Sequence, residues 1–248
     1  MTSTGDNGRL CNQIIRNLAV SFIAERYDLS VNYFNKDLIA KLGIDLFSGS
    51  NVYDRIQRIH NYNYFSIYNN GSLTYNLEPN IDYFQTKGII LMIYNHLHND
   101  VNKTKIIEKN PFKHRYNANN DAVVHIRLTD VAKFNPGIEY YKHALRKITF
   151  DNLYIASDDI NHNTVQSLIE IYPDAKIIED DEVGTIQMAS TCKHVILSHG
   201  TFSAMIGYLA FFSDIYYPSF GNLFKWCGDL FSIKNWVEYD ITQLTDSA

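Results

Sequence analysis

Past residue 120 the chain alternates short apolar runs with stretches whose apolar residues recur at helical spacing. Residues 122–126, 153–156, 176–178, 195–197 and 214–218 predict strands. The intervening stretches 139–148, 163–172, 185–191 and 201–212 predict helices, the last with Phe202, Met205, Ile206, Leu209 and Phe212 on one face. Strands alternating with helices of this length make a parallel sheet covered on both faces, so this half reads as α/β. The first half opens on a very short strand at 2–5. A polar loop, a helix through Ile14, Ile15, Leu18, Phe22 and Ile23, and a strand at 31–34 follow. A helix is expected at 36–42. Residues 51–80 are irregular and rich in Asn and Tyr, and 82–101 predict a helix with Phe84, Ile89, Met92, Ile93 and Leu97 inward. The polar stretch 108–121, with a proline and a run of Asn, is the expected linker.

In parallel α/β sheets, sites lie at the carboxyl ends of strands. Polar clusters fall there three times: His125–Asp130 after the first strand of the second half, Ser157-Asp158-Asp159 after the next, and Ser198–Thr201 after the fourth. The last is the most informative. Gly200 allows a sharp turn and Thr201 suits an N-cap, so the free N–H groups and the positive dipole end of a helix face the turn, a geometry that holds phosphate. In the first half, Gly5 and Gly8 match no dinucleotide or Walker spacing, but Arg9 and Asn12 sit where a loop enters a helix. Tyr62, Tyr64, Tyr68 and Tyr75 suit either a carbohydrate-stacking surface or core filling.

Composition narrows the class. Across 248 residues the net charge is −5, and Lys and Arg are scattered, so nothing marks a nucleic-acid surface. Cys11, Cys192 and Cys227 are far apart without metal-ligand spacing, and His60, His96 and His98 form no zinc pattern; no metal site is expected. The start is not that of a signal peptide, and no apolar run approaches the ~20 residues of a membrane span. The expectation is a soluble, cytoplasmic protein.

GRLCNQ (8–13), HIRLTD (125–130), ASDD (156–159) and CKHVILSHGTFSAMIGYLAFF (192–212) stand in this order. Together they resemble the α-1,2-fucosyltransferase family and its relatives, the protein O-fucosyl- and α-1,6-fucosyltransferases. The resemblance runs from residue 8 to about 212. It implies a GT-B architecture: two Rossmann-like domains facing a cleft, with a compact N-terminal domain at 1–118, a nucleotide-sugar domain at 119–230, and a segment 231–248 packing back on the N-terminal domain. Phe224, Lys225, Trp226 and Trp236 belong to that aromatic C-terminal part. The implied activity is inverting, metal-independent transfer of a sugar from a nucleotide-sugar donor to an oligosaccharide or glycoprotein acceptor, with no separate cofactor. Arg127 would bind the departing diphosphate. Thr201, with Ser198, Phe202 and Ser203, would hold the pyrophosphate at the helix end. Arg9 and Asn12 would reach donor phosphates or acceptor, His125 would lie near the base, and Asp158 would join the donor set. Asp130 or Asp6 would be the catalytic base, and Asp130 could equally orient Arg127.

Three departures from the family pattern matter. Cys11 replaces a loop glycine, Leu128 the second arginine of the H-x-R-R motif, and Thr185 the aspartate that reads guanine. GDP-fucose is the donor the resemblance implies. Thr185 opens a UDP-sugar such as UDP-xylose, unless Asp181 or Glu182 substitutes. A catalytically silent sugar- or nucleotide-binding protein is the other class.

Overall fold

The first helix is apolar almost all round, which places it inside. In α1 (Leu10–Tyr27) the residues Leu10, Ile14, Ile15, Leu18, Val20 and Ile23 are all buried. The computed structural model of the chain describes residues 1–130, 132–221 and 228–243. These form two units, Met1–Ile106 and Ile107–Ala248. In the first, β1 (Thr2–Ser3) pairs in parallel with β2 (Val31–Asn32), giving the expected strand–loop–helix–strand opening. After α2 (Lys36–Lys41), β3 (Ile56–Arg58) and β4 (Asn76–Glu78) make a second parallel pair flanking α3 (Tyr64–Tyr68). α1 packs on α3 and on α4 (Lys87–His98). Tyr64 is core, its hydroxyl donating to the Ala19 carbonyl at 2.9 Å, whereas Tyr62 is exposed.

The described strands of this half are two or three residues long and pair in parallel as β1–β2 and β3–β4, with β1 lying beside β4, where Leu77 N–H donates to Thr2 Oγ1 at 2.8 Å. One expectation for this half changes. The single helix expected over 82–101 begins only at Lys87 and breaks at Asn99. That residue is extended, and its side chain accepts the Asn102 N–H at 2.9 Å, starting α5 (Asp100–Lys109) as a new helix.

The second unit is the parallel α/β sheet. Its strands are β5 (Ala122–Ile126), β6 (Leu153–Ser157), β7 (Lys176–Ile177), β8 (His194–Ile196), β9 (Asp214–Ser219) and β10 (Val237–Asp240). Every pairing is parallel, in the order β7-β6-β5-β8-β9-β10. Counted from β5 that is 3-2-1-4-5-6, the order of the doubly wound nucleotide-binding sheet, and it reverses direction between β5 and β8. The helices are α6 (Ile138–Arg146), α7 (Asn163–Ile171), α8 (Glu182–Ala189) and α9 (Thr201–Leu209); α6 packs on α7, and α8 on α9. Parity along β5 divides the faces. Ala122, Val124, Ile126 and Leu128 join the core beneath α6 and α7, while His125 meets α9.

The stretch 108–121 is fastened to this unit and is no free linker. The Asn110 side chain donates to the Gln187 carbonyl at 2.8 Å, Arg115 to Asp121 at 2.7 Å, and Asn119 to the Thr191 carbonyl at 3.0 Å. Proline and asparagine there make local turns whose side chains find partners on the domain. The C-terminal segment is also reassigned: residues 237–240 become β10 beside β9, and Trp236 packs on Tyr208 of α9 at 5.8 Å. Phe224, Lys225, Trp226 and Cys227 lie outside the described residues. No helix among the described residues is long and apolar enough to cross a membrane.

Candidate functional site

The reversal between β5 and β8 is where this sheet order opens a crevice, and two polar clusters meet there. The chain leaves β8 through Leu197, Ser198 and His199, and turns at Gly200. That residue sits at φ 98°, ψ 173°, a region open essentially to glycine alone, and an added Cβ there would touch nothing within 4 Å. Glycine is required by the backbone and not by crowding. The helix cap is therefore Gly200 and not Thr201, which is the first helical residue. No side chain caps α9 and its first turn carries no acid, so its positive end is left for an incoming anion.

The turn is held from beneath. Ser203 Oγ accepts the Ser198 N–H at 3.1 Å and lies 2.5 Å from His125 Nδ1. The His125 ring stacks on Phe202 at 5.0 Å. Ser198, Ser203 and His125 are all buried, so these three expected donor ligands hold the turn in place from inside. Burial pushes the His125 imidazole down to about 4, keeping it neutral at physiological pH. His125 also ties α9 to β5, two residues short of Arg127.

Arg127 leaves the end of β5 with its side chain 15% exposed and ion-pairs with both Asp158 and Asp130. Asp158 also accepts the Leu128 N–H at 2.8 Å and the Thr129 hydroxyl at 2.6 Å. Burial alone would raise the Asp158 carboxyl. The bonds from Thr129 and Leu128 and the charge of Arg127 outweigh it, so the group sits below the usual range and stays ionised. Asp130 thus pairs with Arg127, the contact an orienting role would need. Thr129, inside the same motif, is the organiser that sequence reading passed over. Leu128 is buried, so the place of the second family arginine belongs here to the core.

Thr185 lies on α8 and donates its hydroxyl to the Asp180 carbonyl at 3.3 Å, while Asp181 caps that helix by accepting the Gly184 N–H at 2.8 Å. Asp181 is therefore committed to the helix end. Cys192 is buried beside Arg115, 3.7 Å from its guanidinium, and burial pushes the thiol up to about 12, which leaves it inert at neutral pH.

Asp6, Arg9 and Asn12 belong to the first unit. Arg9 is exposed at the N-cap of α1, and Asp6 is exposed in the loop. The Asn12 side chain accepts from Gln85 at 2.8 Å. The loop itself is built by residues the sequence reading missed. Arg16, 1% exposed, donates to the carbonyls of Gly5 (3.2 Å) and Asn7 (2.9 Å), and Gln13 to those of Asp6 (3.1 Å) and Gly8 (2.7 Å). The available signal was an arginine inside the apolar window 14–24. Among the described residues no group of three or more His, Cys, Asp or Glu could hold a metal ion. No protein-family model matches this sequence, and no match was found among curated proteins.

Proposed function

We propose that this chain is an inverting glycosyltransferase of GT-B type that moves a sugar from a nucleoside-diphosphate donor to a glycan hydroxyl, with L-fucose from GDP-fucose as the substrate its motifs suggest. The observation that supports this is the meeting, at the β5/β8 reversal, of an uncapped helix N-terminus and an arginine held in place by two carboxylates. A leaving diphosphate needs fixed positive potential where its charge develops. The first turn of α9 supplies N–H donors and Arg127 a planar cation to meet the charge on the departing oxygen. The acceptor oxygen attacks the anomeric carbon, the bond to the diphosphate breaks, and the hydroxyl proton passes to a carboxylate. Asp130 and Asp6 are the candidates, and Asp130 serves only if it releases Arg127 when donor binds. The transfer is proposed to need no added metal.

The donor base is the finer question. Thr185 offers a hydroxyl already bonded to Asp180, not the carboxylate that reads guanine, and this favours a UDP-sugar as the second choice. A silent binding protein is a further reading, supported by the fact that Arg127 already faces two carboxylates. Two measurements decide. Thermal-shift titration with GDP, UDP, GDP-fucose and UDP-xylose, with and without magnesium, ranks the bases by mass action. Acceptor-dependent release of GDP or UDP by purified protein separates enzyme from binder, and the reading falls if no donor is turned over by wild-type protein that binds one.

A further inference from the structure

Arg127 holds its two carboxylates with different nitrogens: Nη1 donates to Asp158 and Nη2 to Asp130. The acids are not equivalent. The Asp158 side chain is 20% exposed and is fastened to the β5 exit by three further bonds, from the Leu128 N–H at 2.8 Å, the Thr129 N–H at 3.3 Å and the Thr129 hydroxyl at 2.6 Å. The Asp130 side chain is 54% exposed and lies 3.4 Å from the same hydroxyl, whose one proton the shorter bond to Asp158 claims. The main chain at Arg127 is held separately, its carbonyl accepting from the Asn135 side chain at 3.2 Å. Withdrawal of Asp130 therefore frees one edge of the guanidinium and leaves the rest anchored.

That asymmetry decides which acid yields to an incoming anion. Moving Asp158 away would strand the part-buried Leu128 N–H as well as the guanidinium. Moving Asp130 away returns a carboxylate to water that it already half faces, and ion pairs this exposed hold weakly. A guanidinium edge grips carboxylate and phosphate oxygens in the same planar geometry, so the Asp130 carboxylate fills a seat that a phosphate oxygen fits. A diphosphate carries more charge than one carboxylate and also meets the N–H groups that start α9, so it displaces the side chain.

We propose that Asp130 is a latch on Arg127: its carboxylate occupies the seat of a phosphate oxygen, and a nucleoside diphosphate enters by displacing it, while Asp158 keeps the guanidinium in position. The inference rests on reading the β5/β8 reversal as the diphosphate site. Its consequence has the opposite sign to that of a supporting role. An acid that only positioned Arg127 would strengthen anion binding, whereas a latch weakens it by the fraction of molecules in which Arg127 is engaged.

The test is calorimetric titration of the full chain with inorganic pyrophosphate, GDP and UDP, comparing wild type with Asp130→Asn and Asp130→Ser. Both variants are expected to bind roughly fivefold tighter, the scale of a half-exposed ion pair, and Asp158→Asn is expected to bind more weakly than wild type. Asp130→Asn made in an Arg127→Ala background separates a latch from a general loss of negative charge, because there the gain should vanish. Affinity unchanged or reduced in both Asp130 variants, a gain of the same size without Arg127, or an equal gain in Asp158→Asn overturns the latch, even if donor turnover is found. If the gain appears and depends on Arg127 while no donor is turned over, the latch stands as a property of an anion site and the transferase reading falls alone. If neither wild type nor the Asp130 variants bind any of the three probes, the diphosphate site and the latch fall together.

Discussion

The chain enters two of its helices past a glycine at positive φ, one residue before the N-cap Arg9 in α1 and at the N-cap itself in α9, and supports the two turns in opposite ways. Before α1 and before α9, a strand runs into a glycine at positive φ (Gly8 at 80°, Gly200 at 98°) and then a helix that no side chain caps. The first turn is held by charge: the guanidinium of Arg16, with Gln13 beside it, gathers four loop carbonyls. The second is held by a neutral pair, the Ser203 hydroxyl and the His125 ring. A buried cation fixes a loop at the cost of desolvation, and its potential is largely spent on the carbonyls it holds. A neutral support leaves the field of the helix end for a ligand. The second turn is thus better suited to bind an anion, and the first to present exposed side chains such as Arg9 and Asp6.

The largest expected effect tests the function assigned to the second turn. Arg127→Ala should lower turnover by about 10²–10³, the cost of removing one fixed donor to developing charge, with little change in thermal midpoint because Arg127 lies beyond the C-terminal end of β5 and Asp158 keeps its bonds from Leu128 and Thr129. Unchanged turnover in a purified assay would remove Arg127 from the mechanism. The complementary change at the first turn is Arg16→Met. Losing two charge-assisted hydrogen bonds to carbonyls should destabilise the first unit by about 3 kcal/mol, read as an earlier urea transition. Nucleotide affinity should hold if the second turn is the anion site, and a parallel loss of nucleotide binding would reverse the contrast.

Acid should weaken the second turn selectively. A histidine that is about 4 when folded and about 6.5 when unfolded takes up its proton in the unfolded chain first. Its contribution is complete above about pH 6.5 and is lost as pH falls toward 4, on the order of 3 kcal/mol for this group. His199 has the same depression in the same unit and adds to the slope. Urea midpoints at about pH 7.5 and 4.5 check this, and His125→Asn should flatten the dependence. An equally steep slope in that variant would mean the acid sensitivity lies elsewhere.

Where the sequence was legible and where it was not follows the same division. The second unit could be read because β5, β6 and β8 are short, largely buried apolar runs and α6 and α7 show apolar stripes; β7 and β9, though only partly buried, and α8 and α9 also lie where the alternation of strands and helices puts them. β10 was missed, since Val237, Glu238 and Tyr239 form an edge strand without a continuous apolar run. Beyond its opening β1–α1–β2–α2, the N-terminal half was opaque for a physical reason. Strands of two or three residues leave no period to detect, and loops held by Asn80, Arg16 and Gln85 depend on partners far away in sequence. At the candidate site, spacing located His125, Arg127 and Gly200. It did not separate the side chains that face a ligand from those that hold the turn, because parity and burial decide that.

The two glycines give the smallest and most discriminating test of the comparison. At Gly200 a methyl group meets nothing within 4 Å, so Gly200→Ala carries only the backbone cost of its positive φ, about 1–3 kcal/mol. At Gly8 the same methyl would lie 2.8 Å from Asn12 Cβ and 2.9 Å from the Tyr83 ring, so crowding adds to strain and the loss should be larger. The functional order should be reversed. Gly200→Ala rotates the first N–H groups of α9 and should weaken nucleotide binding more than its stability loss suggests, whereas Gly8→Ala should leave that affinity near wild type in whatever fraction is folded. Thermal midpoints and nucleotide titrations on both variants read the two orders independently. Affinity lost with Gly8 and kept with Gly200 would place the anion site before α1 and remove the distinction between the turns.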